Sequence, residues 1–352
     1  MSVTVRMRQR GLSLVEIMVA LVLGLVLLAG VYKIYIGSKQ TYRLTDNQAR
    51  LQENGRFALH FLNRDIRGAG FMGCANVNSL QPNIIARSPP NDLVFSADKV
   101  INGYDSGTWP TDFPTEPSNL SSGGNLVPGN SVILVRQASP SDATLVGNLT
   151  ANNANVQVSS NAGGWKQGDY IFITDCQNAD VFDATSVSNG TNGKVTMAYG
   201  KSGNYTNRLS TLYQSGAQVM AYHSYMFYIG CTTNAANCPA SDHALYEVVD
   251  NQAPQELVGD VVAMRAEYGL DTTGDKAADR YDDAATIDAI TPVSSGWPDV
   301  VSVRVHLLLD TPDDHLLAQK QHYTFDGTAT TAADHRLYGV FNDTITLRNR
   351  TP

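Results

Sequence analysis

Residues 12–31 read LSLVEIMVALVLGLVLLAGV, directly after Arg10 and Gly11. Apart from Ser13 and Glu16 the stretch is apolar, and about 20 such residues, at ~1.5 Å each in a helix, cross a hydrocarbon core of ~30 Å. This is a membrane segment. Arg6, Arg8 and Arg10 precede it while Lys33, Lys39 and Arg43 follow, so the positive charges on its two sides do not by themselves orient it. Glu16 is the odd residue, because a carboxylate inside an apolar span costs on the order of 2.5–3.5 kcal/mol and calls for a partner or a function.

Beyond Val31 no proline occurs until Pro82. Leu44, Leu51, Ala58, Leu62 and Ile66 recur at helical spacing, with Glu53, Arg56, Arg64 and Arg67 on the other side. The pattern predicts one helix from about residue 12 to 67, ~84 Å long, with its first half in the membrane and its second half packed on a head. Gly24, Gly30, Gly37 and Gly55 make it locally weak or closely packable. Gly68-Ala-Gly70-Phe-Met-Gly73 matches GxGxxG, but a dinucleotide fingerprint needs a strand before it and a helix after it. Here the glycines follow a helix and read as its end.

From Pro82 the texture changes to short β-type runs broken by Gly, Pro, Asn, Asp and Ser, predicting strands at 92–96, 131–135, 169–174, 218–222 and 300–309. Residues 102–129 read as a long exposed loop or insertion, and 255–268 as a short helix running into a strand. The fold class is therefore α+β, a long N-terminal helix on a large, antiparallel, β-rich head.

With 352 residues and 43% hydrophobic content the chain is long enough for a sizeable core. Its net charge is −8, an unfavourable match to a phosphate backbone, so no nucleic-acid partner is expected. Cys231 and Cys238 enclose the polar loop Thr-Thr-Asn-Ala-Ala-Asn, which a disulfide would staple, leaving Cys74 for Cys176. The alternative is four free, buried thiols; no CxxC or His-rich spacing supports zinc. Asp271, Thr273, Asp275, Asp279 and Asp282 fall at positions 1, 3, 5, 9 and 12 of a calcium-loop pattern. That match is degraded by Lys276 at the glycine position and by Asp282 in place of Glu, and a solvated acidic turn is the simpler reading; otherwise no cofactor is implied. There is no HExxH, GxSxG or phosphate loop, the seven His are scattered, and the paired Asp at 282–283 and 313–314 sit in turn-like sequence, so an enzyme is not expected.

Basic residues, Gly11, an apolar residue and Glu at the fifth position after the glycine, in RGLSLVEIMVAL, resemble the class III signal of type IV pilins and pseudopilins. The resemblance implies cleavage between Gly11 and Leu12 by a prepilin peptidase, methylation of the new amine on Leu12, and retention of the apolar segment. Leu12 departs from the family's usual Phe. Cleavage would remove three of the 25 Lys and Arg, leaving 22 against 33 Asp and Glu, a net of −11. The amine it creates, on this chain or a neighbour, is a natural partner for Glu16, since a buried charge is tolerable when paired. A competing signal-peptidase site, Leu28-Ala29-Gly30, would start the mature chain at Val31, but Leu28 is not small.

Further pieces, Phe71-Met-Gly-Cys74, the 168–176 strand ending at Cys176, the Tyr268-to-Asp275 turn, the 300–309 strand and the closing Arg336-to-Asn349 stretch, together resemble PilW-type minor pilins. This implies a leader at 1–11, a transmembrane half-helix at 12–31, an amphipathic half at 32–70 and a head at 71–352. It implies a single-pass inner-membrane subunit with a periplasmic head, later at the pilus tip. Its partners would be the prepilin peptidase, other minor pilins, the major pilin, the inner-membrane assembly machinery and a tip adhesin. The alternatives are a type II secretion pseudopilin and a periplasmic enzyme or binding protein on an uncleaved signal anchor.

Overall fold

The computed structural model describes residues 13–350 except 75–76, 88–95, 97, 112, 142, 151–153, 162, 234–237, 251 and 292–295. Its first element is α1 (Leu14–Gly68), 55 residues long. Up to Ile36 the large apolar side chains of α1 are exposed on every side, as suits lipid rather than a protein core. From Asn47 onward one stripe turns inward: Asn47, Leu51, Gly55, Ala58, Leu62, Asp65 and Ile66 are buried, with Leu44 half-buried at its start. Glu53, Arg56, Arg64 and Arg67 remain exposed on the other faces.

The described strands run in chain order β1 (Asn83–Ile84), β2 (Ile101–Tyr104), β3 (Asn125–Leu126), β4 (Val132–Ala138), β5 (Asn155–Val158), β6 (Tyr170–Thr174), β7 (Ala179–Asp183), β8 (Ser186–Asn189), β9 (Val195–Ala198), β10 (Gln218–Cys231), β11 (His243–Val249), β12 (Gln255–Gly259), β13 (Val261–Leu270), β14 (Arg280–Asp282), β15 (Val300–Asp310), β16 (His322–Phe325), β17 (Thr328–Thr331) and β18 (Tyr338–Thr346). Apart from the short parallel pair β1 and β7, their pairings are antiparallel. The long strand β10 organises the larger sheet: its start pairs with β6, its middle with β4, and its end with β11 and β3. A second sheet has the order β14-β13-β15-β18, and α1 packs mainly on β18 and β15, touching β12 and β4 as well.

Leu51, Ala58, Leu62 and Ile66 join Ile133, Val135, Phe227, Met264, Val303, Val305, Leu307 and Ile345 in one core that draws on the helix and both sheets. Burying one Leu or Ile side chain in such a core is worth roughly 1.5–3 kcal/mol. The helix can approach β18 closely at Gly55, where an added Cβ would lie 2.5 Å from the Phe341 ring. A separate core gathers Val156, Val158, Ile171, Phe182, Val195, Met197 and Tyr213, largely from the excursion between β4 and β10. This lobe, with its small sheet β5-β9-β8, was not anticipated as a unit.

Strands appear at 132–138, 170–174, 218–231 and 300–310, on the runs expected to form them, while 92–95 of the expected 92–96 strand lie outside the described residues. Two readings need correction. Residues 255–268 contain no helix: they form β12 and β13, separated at Asp260 with φ +60°, because pairing with β11 and β15 and the β-branched Val258, Val261 and Val262 outweigh the helix preference of Gln255, Glu256 and Leu257. Residues 102–129 are not a free loop either. They begin within β2, and Phe113 is buried with Val132, Leu134, Met226 and Tyr228. Trp109 bridges Tyr104 and Phe113 edge-on, at 5.0 and 5.7 Å between ring centroids, and its indole N–H donates to Pro114 O at 2.8 Å. Three aromatic side chains anchor a segment whose Gly, Ser and Pro content reads as exposed.

Candidate functional site

The N-terminal end of α1 is built by a capping box. Ser13, in extended conformation, accepts the Glu16 N–H on its hydroxyl at 3.2 Å, and its own N–H donates to Glu16 Oε2 at 3.2 Å. The pattern S-x-x-E before an apolar run is the sequence signature of this cap, and it is the functional detail missed at the sequence level. Glu16 thus has a local job, closing the helix end, besides any partner it takes from another chain. Gly11 and Leu12, the expected processing residues, lie outside the described residues. The following apolar turns hold Leu14 at 77% and Leu27 at 70% exposure, an unpartnered cylinder long enough to span a bilayer.

At the other end of α1 the glycine run behaves as a stop. The Ala69 N–H donates to Ile66 O, and Gly70 and Gly73 take φ of +73° and +67°, a region costly for other residues. The chain then enters Cys74, which is disulfide-bonded to Cys176 across a Cα separation of 5.2 Å. This ties the helix exit to the turn after β6, where Thr174 Oγ1 accepts the Cys176 N–H and Asp175 accepts those of Gln177 and Asn178. Cys231 at the end of β10 is bonded to Cys238, Cα to Cα 6.0 Å. Both pairings are those expected, Cys231 with Cys238 from their spacing and Cys74 with Cys176 as the remaining pair.

The acidic turn uses its carboxylates internally. Asp271 accepts the backbone N–H groups of Thr273, Gly274, Asp275 and Lys276 at 2.6–3.2 Å. Asp279 accepts the N–H and hydroxyl of Thr272, both at 2.7 Å, and the Thr273 N–H at 3.1 Å. Asp275 accepts from Ala277, and Asp282 pairs with Arg280 at 2.9 Å. Desolvation pushes the Asp271 carboxyl up, but the backbone hydrogen bonds outweigh it and hold it below the usual carboxylate range; the Thr272 hydroxyl and N–H do the same for Asp279. Each carboxylate thus stabilises its own turn. Among the described residues no group of three or more His, Cys, Asp or Glu is arranged to hold a metal ion.

Comparison with known proteins addresses the two ends of the chain. Residues 6–32 match the family model of the prokaryotic N-terminal methylation motif, and residues 227–349 match that of type IV pilus-assembly protein W. No curated protein and no solved structure matches. The second match runs from the latter half of β10 through β18, so it contains the four-stranded sheet on which α1 lies, whereas the lobe between β4 and β10 falls outside it. A stretch similar to the methylation motif leads into the exposed apolar helix, and a stretch similar to type IV pilus-assembly protein W forms the sheet beneath it, which together support a type IV pilus-related minor pilin.

Proposed function

We propose that the chain is a non-enzymatic assembly subunit, inserted in the inner membrane with its head in the periplasm, cut between Gly11 and Leu12 by a prepilin peptidase and methylated on Leu12. It then joins other minor pilins in a complex that primes the pilus and stays at its tip, where it contacts the major pilin, the assembly machinery and a tip adhesin. The observation that carries this reading is the methylation motif running into a helix whose apolar half has no partner among the described residues. Glu16 serves as the pairing charge, exchanging its hydrogen bond to Ser13 for an N-terminal amine when subunits come together.

Mass spectrometry of the N-terminus, on protein from membranes with and without the prepilin peptidase, tests this reading. The expected result is a methylated peptide starting at Leu12 that is lost without the peptidase. A start at Val31, or Met1 retained in both strains, would overturn it.

A further inference from the structure

The end of α1 is closed by a distant part of the chain. Helix termination orphans the last carbonyls; here Arg348 N–H donates to Arg67 O at 3.2 Å, and Asn349 Nδ2 donates to Gly68 O and Ala69 O at 3.1 and 3.0 Å. At Gly68 the Gln137 side-chain oxygen fills the space a Cβ would take, so a larger residue there would displace the end of that side chain. Between the helix end, the end of β4 and the 348–349 segment lies a cavity of about 830 Å³, lined among others by Arg64, Arg67, Gln137, Ser139, Tyr225 and Arg348.

The charges in this cavity do not balance. Arg64 is committed to Asp65 through two hydrogen bonds of 2.9 and 2.7 Å, with Glu247 at 3.9 Å beyond. Arg67 and Arg348 are exposed and hold no ion pair among the described residues, on a chain whose net charge is −8. The hydrogen bonds that cap the carbonyls behind them offset part of the negative charge of the helix end, and Arg64 offsets Asp65. Burial, reinforced by Asp65, Asp250 and Glu247, pushes the Tyr225 hydroxyl far above its ordinary range, so it stays a neutral donor. Gln137 and Ser139 add side chains that both donate and accept, and Phe71 adds an apolar wall.

Two guanidinium groups and a neutral phenol suit carboxylates. The volume lies in the range of sites for extended ligands and far exceeds a simple ion. A second hollow, lined by Leu59, His60, Asn63, Arg64 and Asp343, also borders Arg64. We propose that this cavity binds an Asp- or Glu-bearing peptide segment of a neighbouring subunit, with Arg67 and Arg348 holding its carboxylates. Only the origin of the peptide rests on the assembly reading; the binding itself does not.

The test uses the full-length mature chain in detergent, with fluorescein-labelled hexaglutamate as probe, hexaglutamine as the neutral control and anisotropy as readout. Hexaglutamate should bind, hexaglutamine should not, and the double variant R67Q/R348Q should weaken binding at least tenfold while R67K/R348K recovers part of it. Millimolar inorganic phosphate or free glutamate should compete poorly. Unchanged binding in R67Q/R348Q, no binding by the wild-type chain, or competition by phosphate as effective as by unlabelled peptide would each overturn the proposal. Absence of binding in a chain still processed after Gly11 removes this site and leaves the assembly reading standing.

Discussion

Glu16 is engaged by Ser13 in a cap that either residue alone would break. The two substitutions therefore separate its roles. Ser13→Ala removes the hydroxyl acceptor of the cap at a cost of about 1 kcal/mol but leaves the carboxylate, so pilus number on the cell surface should change little. Glu16→Ala should leave cleavage intact and reduce surface pili severely; normal piliation would discard the pairing role. The second residue of note is Asp310, buried at the end of β15 with no hydrogen-bond partner on either carboxylate oxygen and Arg336 Nη1 at 3.6 Å. Burial raises its pKa to about 7, with Asp260 and Asp334 adding to the rise and Arg336 opposing it. The folded state then holds a proton that the unfolded chain, titrating near 3.8, has lost. Its contribution to stability is complete below pH 4 and declines as pH rises to about 7. Asp310→Asn should flatten the Tm of the protein between pH 4 and 7, gaining no more than about 4 kcal/mol at the upper end; an unaltered Tm profile would mean that Asp310 titrates normally. The Cys231–Cys238 pair was legible in the sequence because its cysteines lie seven residues apart, whereas the equally local Ser13–Glu16 cap was passed over because Glu16 was read only for its charge. The state of Asp310 was not legible, since β15, Arg336 and Asp260 meet only in the folded chain.

At the scale of elements, the inward stripe of α1 was readable from its heptad and tetrad spacing, and its depth follows from the sheet it covers. Leu62 is fully buried in the shared core, so Leu62→Ala should cost roughly 2–5 kcal/mol, measured by chemical denaturation of the mature protein. A loss below 1 kcal/mol would indicate that the helix does not dock there. Strands with several consecutive β-branched or aromatic residues, such as β15 and β6, were legible for the same local reason. The correction at 255–268 shows the limit: Gln255, Glu256 and Leu257 favour a helix in isolation, but β11 offers backbone partners that no local pattern records. The segment at 102–129 was misread because composition counts its glycines and prolines and gives no weight to where Trp109 and Phe113 point.

For the molecule as a whole, the turn at 271–282 keeps its shape through hydrogen bonds to Asp271 and Asp279, so removing divalent cations with EDTA should leave the Tm unchanged; a drop restored by calcium would favour the calcium loop over the solvated turn. The PilW-type match and the sheet under α1 coincide, while the lobe between β4 and β10, with its own core, stands apart from both. That lobe was illegible as a unit because β5, β8 and β9 are only four residues each, and Ile171 of β6, itself in a legible strand, carries no local sign of which core it joins. The strand that α1 packs on most, β18, is made long after it, and Asn349 reaches Gly68 across 281 residues of sequence. During synthesis the apolar stripe of α1 must therefore wait uncovered until β18 arrives. Folding of this protein thus contains an interval of exposure to aggregation and proteolysis, which a chaperone would shorten and which any truncation before residue 338 would make permanent.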